Sequence, residues 1–367
     1  MSETKILMDG RDMIYSSLDE GYPAVELKVE RDVKDAGAAE ITLPPTSLAI
    51  DYGGYDALKP YKSLIEILRG DEILFRGRLI SKKRDFWKRA KLTCEGELAF
   101  FKDSTIREHT YTGAPATLFA AVVTEHNSQI DTWKRFAVGT VTVTTTETSP
   151  ALELDKAVSA ADALAKLREK YGGYFKFRTR GGARYIDWAA DLTSESSQNI
   201  EFGSNLLDLA VTTTNNNYAN RIVPYGKRID DAYVTLSGRV DYVEDAAAQA
   251  VYGIVSRAVY YNDVEDSATL LIRANADLAE RSKMISTLTV SALDLKELAG
   301  VPQVSFAGDG LDVGMLVRVK SAPHGINALY LVTHRTYDLL DPKNSKITLG
   351  GSPVTLTGQL AAIGGII

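Results

Sequence analysis

Hydrophobic and polar positions alternate most cleanly between Gly308 and Gly350, GDGLDVGMLVRVKSAPHGINALYLVTHRTYDLLDPKNSKITLG. Val313, Met315, Val317 and Val319 share one parity, and Arg318 and Lys320 take the other. Leu329 and Leu331 repeat the alternation, and Ile347 and Leu349 close it. A period of 2 punctuated by Gly, Pro and Asn predicts a β-meander with one buried face. The same period governs residues 1–104. Val25, Leu27 and Val29 alternate with Glu26, Lys28 and Glu30, and Ala39, Ile41 and Leu43 follow, ending at Pro44-Pro45. After the loop Tyr52-Gly53-Gly54-Tyr55, Leu64–Leu68 turns at Gly70-Asp71 into Ile73–Ile80. Short strands at regular spacing with turn signals predict a small barrel or sandwich.

Between residues 105 and 204 the period changes. Leu118, Phe119, Val122 and Val123 form a helical stripe in Pro115–His126, with Pro near its start and Asn127 after its end. Ala160, Leu164, Leu167 and Tyr171 form a second stripe, with Ser159 as N-cap and Gly172-Gly173 as its stop. Val138–Thr146 reads as a Val/Thr-rich strand, and Tyr174–Arg178 turns at Gly181-Gly182 into Arg184–Trp188 as a hairpin. Strand patterning returns over 205–240 and includes the polar run Thr212–Asn217. That run reads as a strand end plus loop, because Asn tolerates left-handed turns; a ligand-binding loop is the competing reading. A helix is predicted near Ser267–Lys283 with Leu271, Ala274 and Leu278 on one face, then a strand through Leu288, Val290 and Ala292.

The expected fold is α+β and β-rich, with two β domains carrying α+β insertions. Residues 1–104 make the first barrel-like domain and 105–204 an α+β domain. Residues 205–351 make a second β domain, interrupted by a helix-containing insertion at about 241–299. The apolar C-terminal tail, 352–367, carries no charged side chain. It is expected either to fray or to be buried against a partner chain, since an exposed apolar terminus is a liability.

Composition narrows the function more than the fold. For 367 residues the length prior is roughly two to three domains. With 45% hydrophobic and 25% charged residues the chain has the balance of an ordinary globular protein, and its 18 tyrosines suit strands. A net charge of −6 argues against tight general binding to nucleic acid, because phosphate neutralisation needs clustered Lys and Arg, and no specific nucleic-acid binding is expected. The short basic run from Lys82-Lys83-Arg84 to Lys91 reads as a solvated strand face in preference to a phosphate site. A single cysteine, Cys94, excludes a disulfide framework or a Cys-based zinc site within one chain. It alternates with Leu92 and Ala90 and reads as a small core residue, with a reactive thiol as the competing reading. The start, MSETKILMDG, lacks the apolar core of a signal peptide. No run approaches the roughly 20 apolar residues of a membrane helix. Synthesis and folding in a cytoplasm, without stable membrane insertion, are therefore expected.

The search for chemistry finds no H-E-x-x-H, G-x-S-x-G, P-loop or EF-hand. Gly308, Gly310 and Gly314 spell G-x-G-x-x-x-G, one residue off the dinucleotide fingerprint. They open a strand, so the phosphate-cradling helix N-terminus is missing. The histidines are His109, His126, His324 and His334, two of them in the adjacent pairs Glu108-His109 and Glu125-His126. Adjacent side chains on a helix diverge by about 100° and rarely chelate one metal together. A two-His site from His109 and His126 is the metal reading, set against surface or capping histidines. No carboxylate pair stands out for acid/base or glycosidase work. No catalytic, cofactor-binding or metal residue is predicted, and no cofactor.

The order of segments carries more than any motif. The phrase FAAVVTEHNSQIDTWKRFAVGTVTV joins an HN at a helix end to an F-x-x-G-x-V-x-V strand. Gly172-Gly173-Tyr174 precedes a hairpin ending in Tyr185-Ile186-Asp187, and Asn220-Arg221-Ile222-Val223 precedes Tyr225-Gly226. The meander follows, with Leu288–Leu295 before it and Ile347–Gly350 at its close. Together these phrases cover most of residues 95–350. They resemble the N-terminal hub module of phage tail-associated proteins, the prophage tail endopeptidase or minor structural proteins, related to the central hub of contractile-tail baseplates.

The resemblance implies a baseplate-hub-like fold of two β-barrel-like domains, 1–104 and 205–351, with α+β insertions, and a homotrimer. Two barrels per chain let a threefold hub meet a sixfold tail in quasi-equivalent contacts. The hub would line or close the DNA channel at the tail tip or baseplate of the virion, after synthesis in the bacterial host cytoplasm. Its implied partners are the distal tail protein, the tape measure protein and the tail tube, with fibre or receptor-binding proteins beyond them. Many relatives continue into a hydrolase, fibre or sugar-binding part, whereas this chain stops just after the module. No catalytic residue is carried over, and a non-enzymatic structural role is expected. Two readings stay open beside it. One is a tail-associated peptidoglycan hydrolase. The other is a host-surface carbohydrate-binding module using the aromatic loops at Tyr52–Tyr55 or Trp133.

Overall fold

The computed structural model describes residues 3–10, 12–18, 24–44, 55–180, 182–214, 217–238, 240–262, 264–298 and 308–350. Pro45, Tyr52–Gly54, Gly181, Asn215–Asn216 and the tail 352–367, which figure in the expectations above, lie outside them. The chain forms two compact units, Met1–Leu209 with Thr289–Ile367, and Ala210–Leu288.

The first unit is built on a large curled β-sheet. Its N-terminal strands are β1 (Thr4–Met8), β2 (Asp12–Ser16), β3 (Glu26–Asp32), β4 (Ala38–Leu43), β5 (Leu64–Arg69), β6 (Glu72–Arg84) and β7 (Ala90–Gly96). They pair in the order β3-β4-β7-β6-β5-β1-β2, and β3 continues the sheet onto Ile326–Asp338 and then Lys346–Gly350. The predicted meander is therefore present. Leu316–Ser321, Ile326–Asp338 and Lys346–Gly350 pair antiparallel in sequence order. Within it Val317, Val319, Ile347 and Leu349 are fully buried, while Arg318 and Lys320 are half-exposed. Val25 departs from expectation. It sits just before β3 and is 49% exposed, whereas Leu27 and Val29 of the same parity are buried.

Register shifts interrupt the ladders after Ile6, Ile67, Leu79 and Val332. Each such irregularity adds local twist, and together they curl the sheet around one core. Ile6, Leu27, Val29, Ile41, Ile67 and Leu92 line that core with Cys94 and Tyr337. Gly96 ends β7 where only a glycine fits: a Cβ there would stand 1.8 Å from the Ala36 carbonyl oxygen.

Two helices pack beside this sheet in the same unit. α1 (Pro115–Gln129) buries Leu118, Phe119, Val122 and Val123, as its stripe predicts. It runs past Asn127, whose carboxamide donates to the Phe136 carbonyl at 2.7 Å and accepts from the Phe136 N–H at 3.0 Å. The expected helix stop is thus a tertiary clamp. α2 (Ala160–Tyr171) starts at Ser159, whose Oγ accepts from the Asp162 N–H at 3.1 Å, and ends at Gly172 with φ +75. Tyr174–Arg180 and Ala183–Ala189 form the predicted hairpin, with Phe175 opposite Trp188. Phe100, Phe101, Phe119, Leu164, Leu167 and Trp188 share this second core.

The second unit pairs Arg221–Tyr225 in parallel with Ser256–Tyr260. The helix Ser267–Arg281 supplies Ala274 and Leu278 to a core of Ala219, Ile222 and Val243. Leu270 takes the inward place that the periodicity assigned to Leu271, which is 44% exposed. The spacing 270, 274, 278 makes one helix face, and Leu271 lies about 60° from the centre of that face, at its edge. A short helix, Ala246–Tyr252, was not foreseen; Asp245 caps it by accepting the Ala248 N–H at 2.9 Å.

Candidate assembly site and buried charge network

The register shift after Val332 decides the most polar part of the core. Val332 pairs with Leu349, and Arg335 pairs with Ile347. Leu349 and Ile347 lie on one face, so Val332 and Arg335 do too, although their spacing is odd. A one-residue slip moves every later side chain to the opposite face. Arg335 and Tyr337 are thereby turned inward, each 1% exposed.

Arg335 is held from three sides. One Nη donates to Asp294 Oδ2 at 2.8 Å and to the Leu311 carbonyl at 2.7 Å, and the other donates to Glu297 Oε1 at 2.7 Å. Its guanidinium carbon lies 4.1 Å from the centre of the Tyr337 ring. Asp294 also accepts the Leu311 N–H at 2.8 Å and Gln198 Nε2 at 2.8 Å. Glu297 continues the network to Arg69 of β5 at 2.9 Å, and Lys296 reaches Glu72 of β6 at 3.1 Å. Tyr337 donates its hydroxyl to Asp312, which pairs with Arg31 of β3 at 2.9 Å.

Four cations and four carboxylates thus close a neutral cluster across strands far apart in sequence. Burial opposes ionisation of Asp294. Arg335, the Leu311 N–H and Gln198 outweigh it and hold the carboxyl below the usual range. Burial likewise opposes the charge on Asp312, and Arg31 and Tyr337 overcome it. Every carboxylate of the cluster is turned toward a cation, so removing one partner would leave a buried charge uncompensated.

The predicted candidates are scattered. His126 is fully buried, with Ser104 Oγ 2.7 Å from Nδ1 and the Phe101 ring centre 4.2 Å away. Burial pushes its pKa down to about 4, so it is a neutral core histidine. His109 is exposed on the strand His109–Thr112 against Tyr111. His324 meets Ser321 at 2.6 Å, and His334 meets Asp32 at 3.3 Å. Among the described residues no three His, Cys, Asp or Glu side chains come together as metal ligands, and no helix is long and apolar enough to cross a membrane. Cys94 is fully buried, and burial pushes its thiol up to about 12; it is a core residue, as its alternation implies. Gly308, Gly310 and Gly314 precede a strand, as expected.

Tyr55 lies between Lys82 Nζ at 4.2 Å and the Arg84 guanidinium at 4.5 Å. Trp133 is half-buried, edge-on to Phe100 at 5.6 Å, beside a shallow cleft with Tyr61 and Arg135.

Two exposed features escaped the sequence reading. Phe86 and Trp87, at the tip of the β6–β7 hairpin, are 89% and 68% exposed. Their signal was in plain view: a consecutive aromatic pair breaks the alternation in the middle of the basic run. In the second unit Tyr225, Tyr233 and Tyr260 form a cluster with ring centres 5.0–5.6 Å apart. Arg335 carried no signal at all, because its inward face depends on the bulge.

A curled β-sheet with an appended α+β layer is the fold that solved prophage tail proteins share with this chain. The structure is similar along almost its whole length to the 43 kDa tail protein of prophage MuSo2 from Shewanella oneidensis. The two share 13% identity at a TM-score of 0.62, over 95% of this chain and 96% of that one. A tail protein from Neisseria meningitidis MC58 matches at 12% identity and TM-score 0.62, over 96% and 98% of the two chains. The prophage tail protein gp18 of Listeria monocytogenes EGD-e matches at 10% identity and TM-score 0.53, over 100% and 99%. In sequence, residues 194–359 match the family described as prophage endopeptidase tail. The resemblance read from the segment order is borne out by that match. No curated protein matches the sequence significantly.

Proposed function

We propose that this chain is a structural component of a phage or prophage tail tip or baseplate, a homotrimeric central hub that joins the sixfold tail to a threefold tip and lines or closes the DNA channel. The observation that carries the reading is the coextensive fold: prophage tail proteins cover this chain and are covered by it almost end to end. The family match over residues 194–359 supports it from the sequence side. In this reading 1–104 and 205–351 act as the two barrel-like parts of the hub, with 105–204 and about 241–299 as additions to them. The partners are the distal tail protein, the tape measure protein and the tail tube, with fibre or receptor-binding proteins beyond. The role is non-enzymatic. The supporting observation is that the strongly buried carboxylates Asp294 and Glu297 are both engaged by Arg335.

Light scattering of the purified chain tests this. The expected mass is three times 40.0 kDa. A strictly monomeric species at high micromolar concentration, unaltered by the distal tail protein, overturns the hub. Cell-wall clearing by this chain alone overturns the non-enzymatic role.

A further inference from the structure

β6 and β7 pair from Gly77 opposite Gly96 to Arg84 opposite Ala90, leaving Asp85–Arg89 as the turn. That turn is rigid. The Asp85 N–H donates to the Arg89 carbonyl at 3.1 Å, and the Lys88 N–H donates to the Asp85 carbonyl at 3.0 Å. The Asp85 carboxylate accepts the Arg89 N–H at 2.9 Å and Arg89 Nε at 2.6 Å. It presents Phe86 and Trp87 edge to face, ring centres 5.1 Å apart, almost fully in water. Exposed Lys83, Arg84 and Lys88 surround them. An ordered aromatic pair in a cationic collar is costly to leave in solvent and loses little entropy on docking.

The other end of the same strand opens into a cleft of about 870 Å³. Phe75, Phe175, Phe177, Val313 and Met315 give it an apolar lining. Exposed Glu30, Asp35, Asp71, Glu195 and Asp309 stand at it without an ion pair among the described residues. Of its cations, Arg76 is taken by Glu66, Arg178 by Asp187 and Arg31 by Asp312, Arg168 donates to the Lys34 carbonyl at 2.6 Å, and exposed Lys176 is outnumbered by those carboxylates. The cleft is thus apolar and acidic where the tip is apolar and basic. At about 3.3 Å per residue, Phe86 lies on the order of 35 Å along β6 from Phe75, so a tip cannot reach its own cleft.

We propose that the Phe86–Trp87 hairpin tip of one copy seats in the acidic cleft beside Phe75 and Met315 of a second copy of this chain. The contact is head to tail and closes into a ring when its rotation permits. The proposal rests on the trimeric hub reading and supplies its interface. Aromatic anchors in an apolar pocket dominate such contacts, with the Lys–carboxylate pairs setting register and on-rate.

Sedimentation and light scattering of wild type, Phe86→Ala/Trp87→Ala and Lys83→Glu/Lys88→Glu test it. Loss of two anchors is expected to weaken self-association about 100-fold or more. Charge reversal is expected to weaken it less, and Asp71→Lys/Asp309→Lys mixed with the reversed variant is expected to restore it. All these positions are exposed, and unchanged circular dichroism checks folding. If both tip variants self-associate like wild type, the tip contact is wrong while the trimeric hub stands. A monomeric wild type sinks the hub reading and the contact with it. Binding to anionic phosphatidylserine vesicles that disappears in the Ala variant, with self-association intact, assigns the tip to a membrane and overturns the proposal.

Discussion

The two units of this molecule hold themselves together differently. Among the described residues the first unit has buried clusters of 19 and 17 apolar side chains, and the second has one of five. Each unit nevertheless exposes ten large apolar or aromatic side chains, although the second spans residues 210–288 only. In the second unit these include Val251, Ile254, Tyr260 and Ile272. A domain that small buries a modest share of its surface, so its margin of stability is thin. The first unit adds the Arg335 network to a full core. The comparison teaches that the first unit is a self-sufficient frame, and that the second carries surface whose chemistry fits a contact within a larger assembly.

Four measurements break or sharpen that contrast, and tryptophan makes them separable. Trp87, Trp133 and Trp188 all lie in the first unit, so their fluorescence follows it alone, while far-UV circular dichroism follows both. Arg335→Met is expected to cost about 3–5 kcal/mol, because it strands buried Asp294 without a cation and leaves Glu297 with Arg69 alone. The urea midpoint by tryptophan fluorescence should fall; an unmoved midpoint removes the network from the account.

Ile222→Ala is expected to cost about 2–5 kcal/mol in a core of five residues. The loss should appear in circular dichroism before any fluorescence change. Coincident transitions would show the units melting as one and dissolve the contrast.

The pH response belongs to the first unit. His126 is held neutral down to about 4, against an ordinary 6.5. Between those values the unfolded chain binds a proton that the folded ring refuses, so stability falls as pH falls through that window and levels off below it. Asp103 and Lys134 are the charges beside the ring, and the carboxyl of Asp103 is held below 3.8, so its own contribution is lost at more acid pH. His126→Phe is expected to flatten the urea midpoint between about pH 6.5 and 4. A wild-type midpoint constant across that window contradicts the neutral buried ring.

Ile272→Ser gives the smallest change. At 70% exposure it is expected to move the stability of the isolated chain by less than about 0.5 kcal/mol. A larger loss in circular dichroism would show that Ile272 is covered within the chain itself.

Local pattern by itself determined the elements. Alternation at Val317, Val319, Ile347 and Leu349 located the meander, and the cap and stop at Ser159 and Gly172 bounded α2, because period and capping are properties of neighbouring residues. It also determined the inert character of Cys94. Segment order was enough to point to prophage tail proteins without a single catalytic motif. Tertiary structure decided what depends on partners distant in the chain. The pairing of Ile326–Asp338 with β3 joins the last strands to the first in one sheet, and neither sequence announces the other. The bulge after Val332 turned Arg335 inward, where alternation alone cannot place an arginine, and created the ion network with it. Leu270 replaced Leu271 because the neighbours of that helix chose the face. The exposure of Phe86 and Trp87 followed from the length of β6, which carries them beyond the sheet that would otherwise cover them.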